Sequence, residues 1–358
     1  MIFKITQWND QIMVAPSQNK FKKMKKKILT LALLVATGLS VSAQKKTGIH
    51  LLASHSIGSS GGWDYLTVDQ KNNNLFVSHG TQVNVLSKVS GDSVGVIHNT
   101  PGVHGIAIAS ALGKGYTTNG KLGTCTVFDL RNLTVMAQIN VGQNPDATFF
   151  DDYSQKVFVF NGKSHDATVI DPQTDKVVAT IPLGGKPEAG VSDGKGKIYV
   201  NIEDTSEIVC FDSKTFKVLS RYKLVGGEEP SGLAIDRANS RLFTVCSNKV
   251  MLVLDAKTGK HIAKLPIGDG ADGVVFDATT KLAYSSNGEG TITVVREVSA
   301  DKFVVEETIK SESGARTIAL DAVTHHIFLP TANFEKSTVE GQRPKMIPGT
   351  FKVLEFGK

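Results

Sequence analysis

A repeat of just over forty residues constrains this chain more than any other feature. Five stretches share one layout: VGQNPDATFFD from Val141, LGGKPEAGVSD from Leu183, VGGEEPSGLAID from Val225, IGDGADGVVFD from Ile267 and SESGARTIALD from Ser311. Each is a Gly-bearing loop, a small or polar pair, then a short apolar run closed by Asp. GGWDYLTVD from Gly61 and TPGVHGIAIA from Thr100 fit the same frame. The residue before each apolar run is Asp64, His104, Asp146, Glu188, Ser231, Asp272 and Arg316, at intervals of 40, 42, 42, 43, 41 and 44. Seven units of that period predict an all-β, seven-bladed β-propeller.

Within a unit the runs are strand-like. ATFFD, KVFVFN, ATVIDPQTD and KVVATIPLG follow one another after Asp146, separated by Gly, Asn, Asp and Pro. Four short, β-branched and aromatic runs with turn residues between them make a four-stranded antiparallel blade. The seventh unit has ARTIALD, HHIFLPTAN and GTFKVLEFGK but no fourth run, while IHLLASHSIG at 49–58 stands spare before the first unit. The N-terminal strand is therefore expected to join the last blade and close the ring, because an open ring would leave strand edges unpaired.

Residues 24–43 have a basic head (Lys25, Lys26, Lys27), an apolar stretch from Ile28 to about Leu39 and a small-residue end at Val41-Ser42-Ala43. That layout predicts a signal peptide with cleavage after Ala43, hence a periplasmic or secreted protein. The apolar stretch is too short for a membrane span, so no transmembrane anchor is expected. Residues 1–23 read as a mis-called upstream extension of a chain starting at Met24, and 44–358 as the propeller. Seven lysines against one aspartate in 1–43 carry +6, the whole formal net charge of +6, so residues 44–358 are neutral. Overall charge thus argues against nucleic acid as a partner. The three cysteines, Cys125, Cys210 and Cys246, fall in separate units and are read as buried and unpaired.

The pattern V-F-V-x-N-G…V-I-D-x-x-T-x-K-V-V-A-T-I-x-L-G-x-x-P, Val157 to Pro187, resembles the YVTN-repeat propellers, including the YncE-like periplasmic proteins. The resemblance covers about residues 49–358. It implies an exported propeller, with relatives among surface-layer proteins and, more distantly, propeller lactonases. DNA binding, described for some YncE-like proteins, is a third implication.

Blade geometry places the loop before each first strand and the loop after each second strand on one face. The mouth of the central channel is expected to carry Asp64, His104, Asp146, Glu188, Asp272 and Arg316 as ligand-binding residues, with His79 and Asn119, Asn161, Asn201, Asn287 and Asn333 around them. The favoured reading is a monomeric, non-catalytic propeller that binds a small polar molecule, a glycan or a protein partner there. The alternative is a lactonase- or lyase-type enzyme. His104 would shuttle a proton, Glu188 or Asp146 would be the base, and Arg316 would clamp a carboxylate or oxyanion. Asp64, His79, His104 and Asp146 are candidate ligands for a possible divalent metal. Each Asn after a second strand belongs to the repeat pattern itself and reads first as a turn cap. Asp129, Asp171, Asp212 and Asp255, at the ends of third strands, read as turn formers. Trp63 is expected to pack between blades. An insertion at 334–348, with Arg343 and Lys345, is expected on the mouth face.

Overall fold

A computed structural model describes residues 46–59, 61–335 and 345–358. The leader region, and with it the predicted signal peptide, lies outside the described residues, as does Arg343. The described chain forms seven four-stranded antiparallel sheets. Six are consecutive meanders: residues 63–97, 103–140, 145–182, 187–223, 230–266 and 271–310. The seventh has the order His50–Ser56, Lys352–Gly357, Ile327–Thr331, Ala319–Leu320. The N-terminal strand is its outer strand, paired antiparallel from His50 opposite Gly357 to Ser56 opposite Lys352. Ring closure through the two ends of the chain is as expected from the spare run at 49–58. The first strand of this blade is shorter than the ARTIALD run suggested, covering only Ala319–Leu320, and Arg316 sits in the loop ahead of it.

Burial follows strand position. The second strand Lys156–Asn161 is buried at five consecutive positions, whereas the outer strand Val135–Asn140 buries only Ile139. A middle strand is covered on both faces by neighbouring blades, so its side chains need no polar alternation. The apolar clusters span adjacent blades: Phe158, Phe160 and Val169 of blade three meet Ile198, Val200 and Phe211 of blade four. The aspartates that close the first strands cap the hairpin that follows, as Asp69 Oδ1 accepts the amides of Lys71 and Asn72 at 2.9 and 3.2 Å. Those ending third strands do the same. Asp255 Oδ1 accepts the amides of Lys257 and Thr258 at 3.0 and 2.9 Å. The cysteines are free and buried. Among the described residues no helix is long and apolar enough to cross a membrane.

The first strands share one irregularity. In six blades the register with the second strand shifts, between Trp63 and Leu66, Val103 and Ile106, Pro145 and Thr148, Pro187 and Gly190, Pro230 and Leu233, and Ala271 and Gly273. Each bulge contains the residue that marks the repeat. A bulge leaves its extra residue unpaired and re-aims its side chain. Packing around the axis is close here. A Cβ on Gly105 would lie 2.7 Å from the Thr148 amide nitrogen, and one on Gly232 2.8 Å from that of Val274, so only glycine fits. Hydroxyls pin one blade to the next across these bulges: Thr118 donates to the Asp146 carbonyl at 2.6 Å, Ser286 to that of Arg316 at 2.6 Å, and Thr317 to that of Asp64 at 2.6 Å.

Candidate functional site

The bulges, together with the loop that carries Arg316, gather the charged marker side chains into one bowl at the mouth of the channel. Asp64 is its centre. One carboxylate oxygen accepts from His104 Nδ1 at 2.6 Å and the other from Arg316 Nη1 at 3.2 Å. Arg316 Nη1 also pairs with Asp272, and its Nη2 donates to the Trp63 carbonyl at 3.1 Å. His104 Nδ1 stands 3.9 Å from Asp146 Oδ1, a buried atom with no hydrogen-bond partner. The imidazole fits because residue 120 is glycine, since a Cβ there would lie 2.8 Å from His104 Nε2. On the far side Lys186 bridges Glu188, at 2.8 Å, and Glu203. Asp64, His104 and Asp146 each offer an atom within 4.8 Å of the other two, a set of one nitrogen and two carboxylate ligands that suits a divalent cation.

Crowding of carboxylates sets the protonation of the bowl. Burial, then the Asp64 charge, pushes Asp146 up to about 7, with His104 opposing. Burial and the Asp146 charge push Glu188 up to about 9, against the pull of Lys186. Burial also raises Asp272, although Arg316 draws it back. For His104, burial works against the charged imidazole, but the Asp64 hydrogen bond and the charges of Asp146 and Asp64 outweigh it and hold the ring above its ordinary value. Burial likewise opposes charge on Arg316, and Asp64 and Asp272 overcome it. Like charges in a shared, poorly solvated space raise one another, so the bowl holds protons it would not hold in water.

Tyr65 forms the floor. It follows Asp64 in blade one, yet it packs against the apolar cluster of blades three and four, so its ring crosses the channel. With Ala147, Phe149 and Ala189 it lines a cavity of about 140 Å³ in the channel. Burial, then the charges of Asp146, Glu188, Asp64 and Asp272, hold its phenol protonated well above the ordinary range. Sequence reasoning missed Tyr65, Lys186 and Glu203. A signal for Tyr65 was present: the position after the marker is Gly105, Ala147, Ala189, Gly232, Gly273 and Thr317 in the other units, and only the first unit carries a large side chain there.

Other expected members are placed elsewhere. His79 is fully buried, Nε2 lies 2.8 Å from the Gly61 carbonyl, Nδ1 lies 2.5 Å from Ser59 Oγ, and the ring stacks on Phe351 at 3.9 Å. Both its nitrogens are used inside the protein, which removes it from the ligand and metal sets. Burial holds it below its ordinary value, as a neutral ring that donates from Nε2 and accepts at Nδ1 requires. Asn119, Asn161, Asn201 and Asn287 are fully buried; Asn119, Asn161 and Asn287 bond within their own blade, as in the 2.9 and 2.8 Å contacts of Asn119 with Thr124 and Thr126, and Asn201 donates to the Ser231 and Gly232 carbonyls of the next blade at 2.9 and 3.1 Å. Asn333 is exposed. Trp63 stacks on Phe351 at 5.3 Å and meets Phe334 at 5.9 Å, packing blade one on blade seven. The ends of the 334–348 insertion pair through a bridge between Phe334 and Met346.

No family model matches the sequence, and no curated protein matches it. A solved structure of hydrazine synthase from Kuenenia stuttgartiensis is similar, with a TM-score of 0.68 at 14% identity, covering 78% of this chain and 95% of that one. The fold is what the two share. This chain is a seven-bladed β-propeller, and at that identity the likeness extends no further than the fold.

Proposed function

We propose that this protein is an exported propeller of the YVTN-repeat, YncE-like type that holds a small polar ligand, or a polar group of a glycan or protein, in the bowl at its channel mouth. The carrying observation is the buried, unpartnered Asp146 Oδ1 facing His104 above a floor closed by Tyr65. A buried carboxylate oxygen left without a hydrogen-bond partner costs free energy, and a ligand that donates hydrogen bonds or carries positive charge would satisfy this one, which opens on the channel mouth. His104, Arg316 and Lys186 are already bound to carboxyl groups of the bowl, which leaves carboxyl oxygens for donor-rich ligands, a divalent cation on Asp64, His104 and Asp146 among them. The neutral net charge of residues 44–358 disfavours DNA. Export rests on the layout of residues 24–43.

A second reading keeps chemistry in the same bowl. Asp146, pushed up to about 7, stands where a general base works best, next to a His104 oriented by Asp64. The expected His104–Glu188–Arg316 centre gains less support, because His104 and Arg316 are bound to Asp64 and Glu188 to Lys186.

Thermal unfolding of the purified protein against divalent cations, polyamines, sugars and lactones tests both readings. A ligand at a hundred times its dissociation constant stabilises by about 2.7 kcal/mol, a shift of several degrees. Asp146→Asn keeps the shape of the side chain and should abolish that shift. A shift of equal size in Asp146→Asn would place the ligand elsewhere. Turnover of a lactone in the wild type, lost in Asp146→Asn, would favour the enzyme.

A further inference from the structure

We propose that the face opposite the mouth carries a second binding site, for the phosphate or sulfate group of a small anionic molecule, in the cleft between blades four and five. A cavity of about 280 Å³ lies there, lined by Lys195, Lys197, Arg237, Lys257, Asp193 and Tyr199 among others. Four cationic side chains and one carboxylate thus face one space large enough for a sugar-sized molecule. The cavity owes nothing to the bowl, which lies on the other face.

The cations are not neutralised from within. Among the described residues, none of Lys195, Lys197, Arg237 and Lys257 has an ion pair. Asp193 is engaged in its own hairpin, where Oδ1 accepts the amides of Lys195 and Lys197 at 2.7 and 3.0 Å. Asp212, opposite Lys197 in the strand register, is likewise engaged by the amides of Lys214 and Thr215 at 3.0 and 2.7 Å.

Arg237 is the one cation with a fixed orientation. Its Nε donates to the Ser192 carbonyl at 2.8 Å, which ties blade five to blade four. The guanidinium lies over Gly194, where a Cβ would come 3.2 Å from Nη1, and φ of +69° already favours glycine. Nη1 and Nη2 have no acceptor among the described residues, so Arg237, which lines the cleft, keeps both donors free for a ligand. An arginine fork held by one bond and flanked by lysines is the arrangement that recognises tetrahedral oxyanions.

Charge segregation in these two blades supports the assignment. Their mouth-side loops hold Glu203, Asp204, Glu228 and Glu229, whereas their opposite hairpins hold Lys195, Lys214, Arg237 and Lys257. The neutral net charge of residues 44–358 conceals a locally basic face, and such a face concentrates anions at low ionic strength.

Calorimetric titration at low salt with glucose 6-phosphate, inorganic phosphate, sulfate and uncharged glucose tests the proposal. The expected result is binding of the sugar phosphate, none of glucose, and weakening of about tenfold or more in Arg237→Gln. Lys257→Gln, at an exposed position, should weaken binding in the same direction and covers the case in which Arg237→Gln does not fold. Inorganic phosphate binding as tightly as the sugar phosphate would identify the free ion as the ligand. Tighter binding of the sugar phosphate would identify a phosphate ester. Equal behaviour of glucose and its phosphate, or unchanged affinity in a folded Arg237→Gln and in Lys257→Gln, would overturn the site.

Discussion

Tyr65 shows how one side chain can change what a propeller channel is. Small residues follow the marker in the other six units because the first strands crowd the axis, and the ring of Tyr65 fills the space they leave. Tyr65→Ala should open the channel and cost about 2 kcal/mol, less than a fully buried aromatic because the ring is partly exposed. Chemical denaturation measures it. Tyr65→Phe keeps the ring and should stay close to wild type. An equal loss in both variants would mean that the hydroxyl, not the ring, carries the contribution. His104 depends on its surroundings in a similar way: Gly120 makes room for the imidazole and Asp64 orients it.

Within the blades, the bulge and the closing strand are the elements that matter. A regular first strand would alternate its side chains between the two faces of the blade, and the bulge turns the marker toward the axis instead. The closing strand is held by more than ladder bonds. Glu355 of Lys352–Gly357 accepts from His55 of the N-terminal strand at 2.8 Å and faces His326 Nδ1 at 2.7 Å. Burial alone would raise this carboxyl, but the hydrogen bonds and charges of His55 and His326 hold it below its ordinary value. A depressed carboxyl stabilises the fold above its unfolded-state value, about 4.3, and loses that contribution as pH falls through the folded value. Glu355→Gln should therefore lower the melting midpoint at pH 6, and its curve should converge with wild type only as pH falls through the depressed folded value. A gap of constant size down to acid pH would show that the carboxylate charge plays no part.

The described blades form a ring, and its cooperativity depends on closure. Each apolar cluster joins neighbouring blades, as the one linking Tyr284 and Ile292 of blade six to Leu329 and Phe356 of blade seven does. Removing residues 46–57 should leave Lys352–Gly357 as an unpaired edge, broaden thermal unfolding and promote association. Light scattering against concentration and calorimetry would detect both effects. A sharp transition of unchanged midpoint in a monomeric protein would show that closure is dispensable.

The sequence by itself determined the number of blades, their four strands and the joining of the two chain ends. Those features are written in short-range patterning: a period near 42 residues, turn residues between β-rich runs, and one run too few at the C-terminal end matched by one to spare at the start. It also brought Asp64, His104, Asp146, Glu188, Asp272 and Arg316 to one mouth, because repeat position maps directly onto blade position. Tertiary structure alone decided which of them touch. His79 and the buried asparagines share the same loop set but turn inward, where their nitrogens bond backbone carbonyls and hydroxyl groups. The crossing of Tyr65, the bridge from Lys186 to two glutamates and the basic cleft between blades four and five join residues of different strands and blades. Their distances are set by how seven sheets pack around an axis, and no spacing along the chain encodes them.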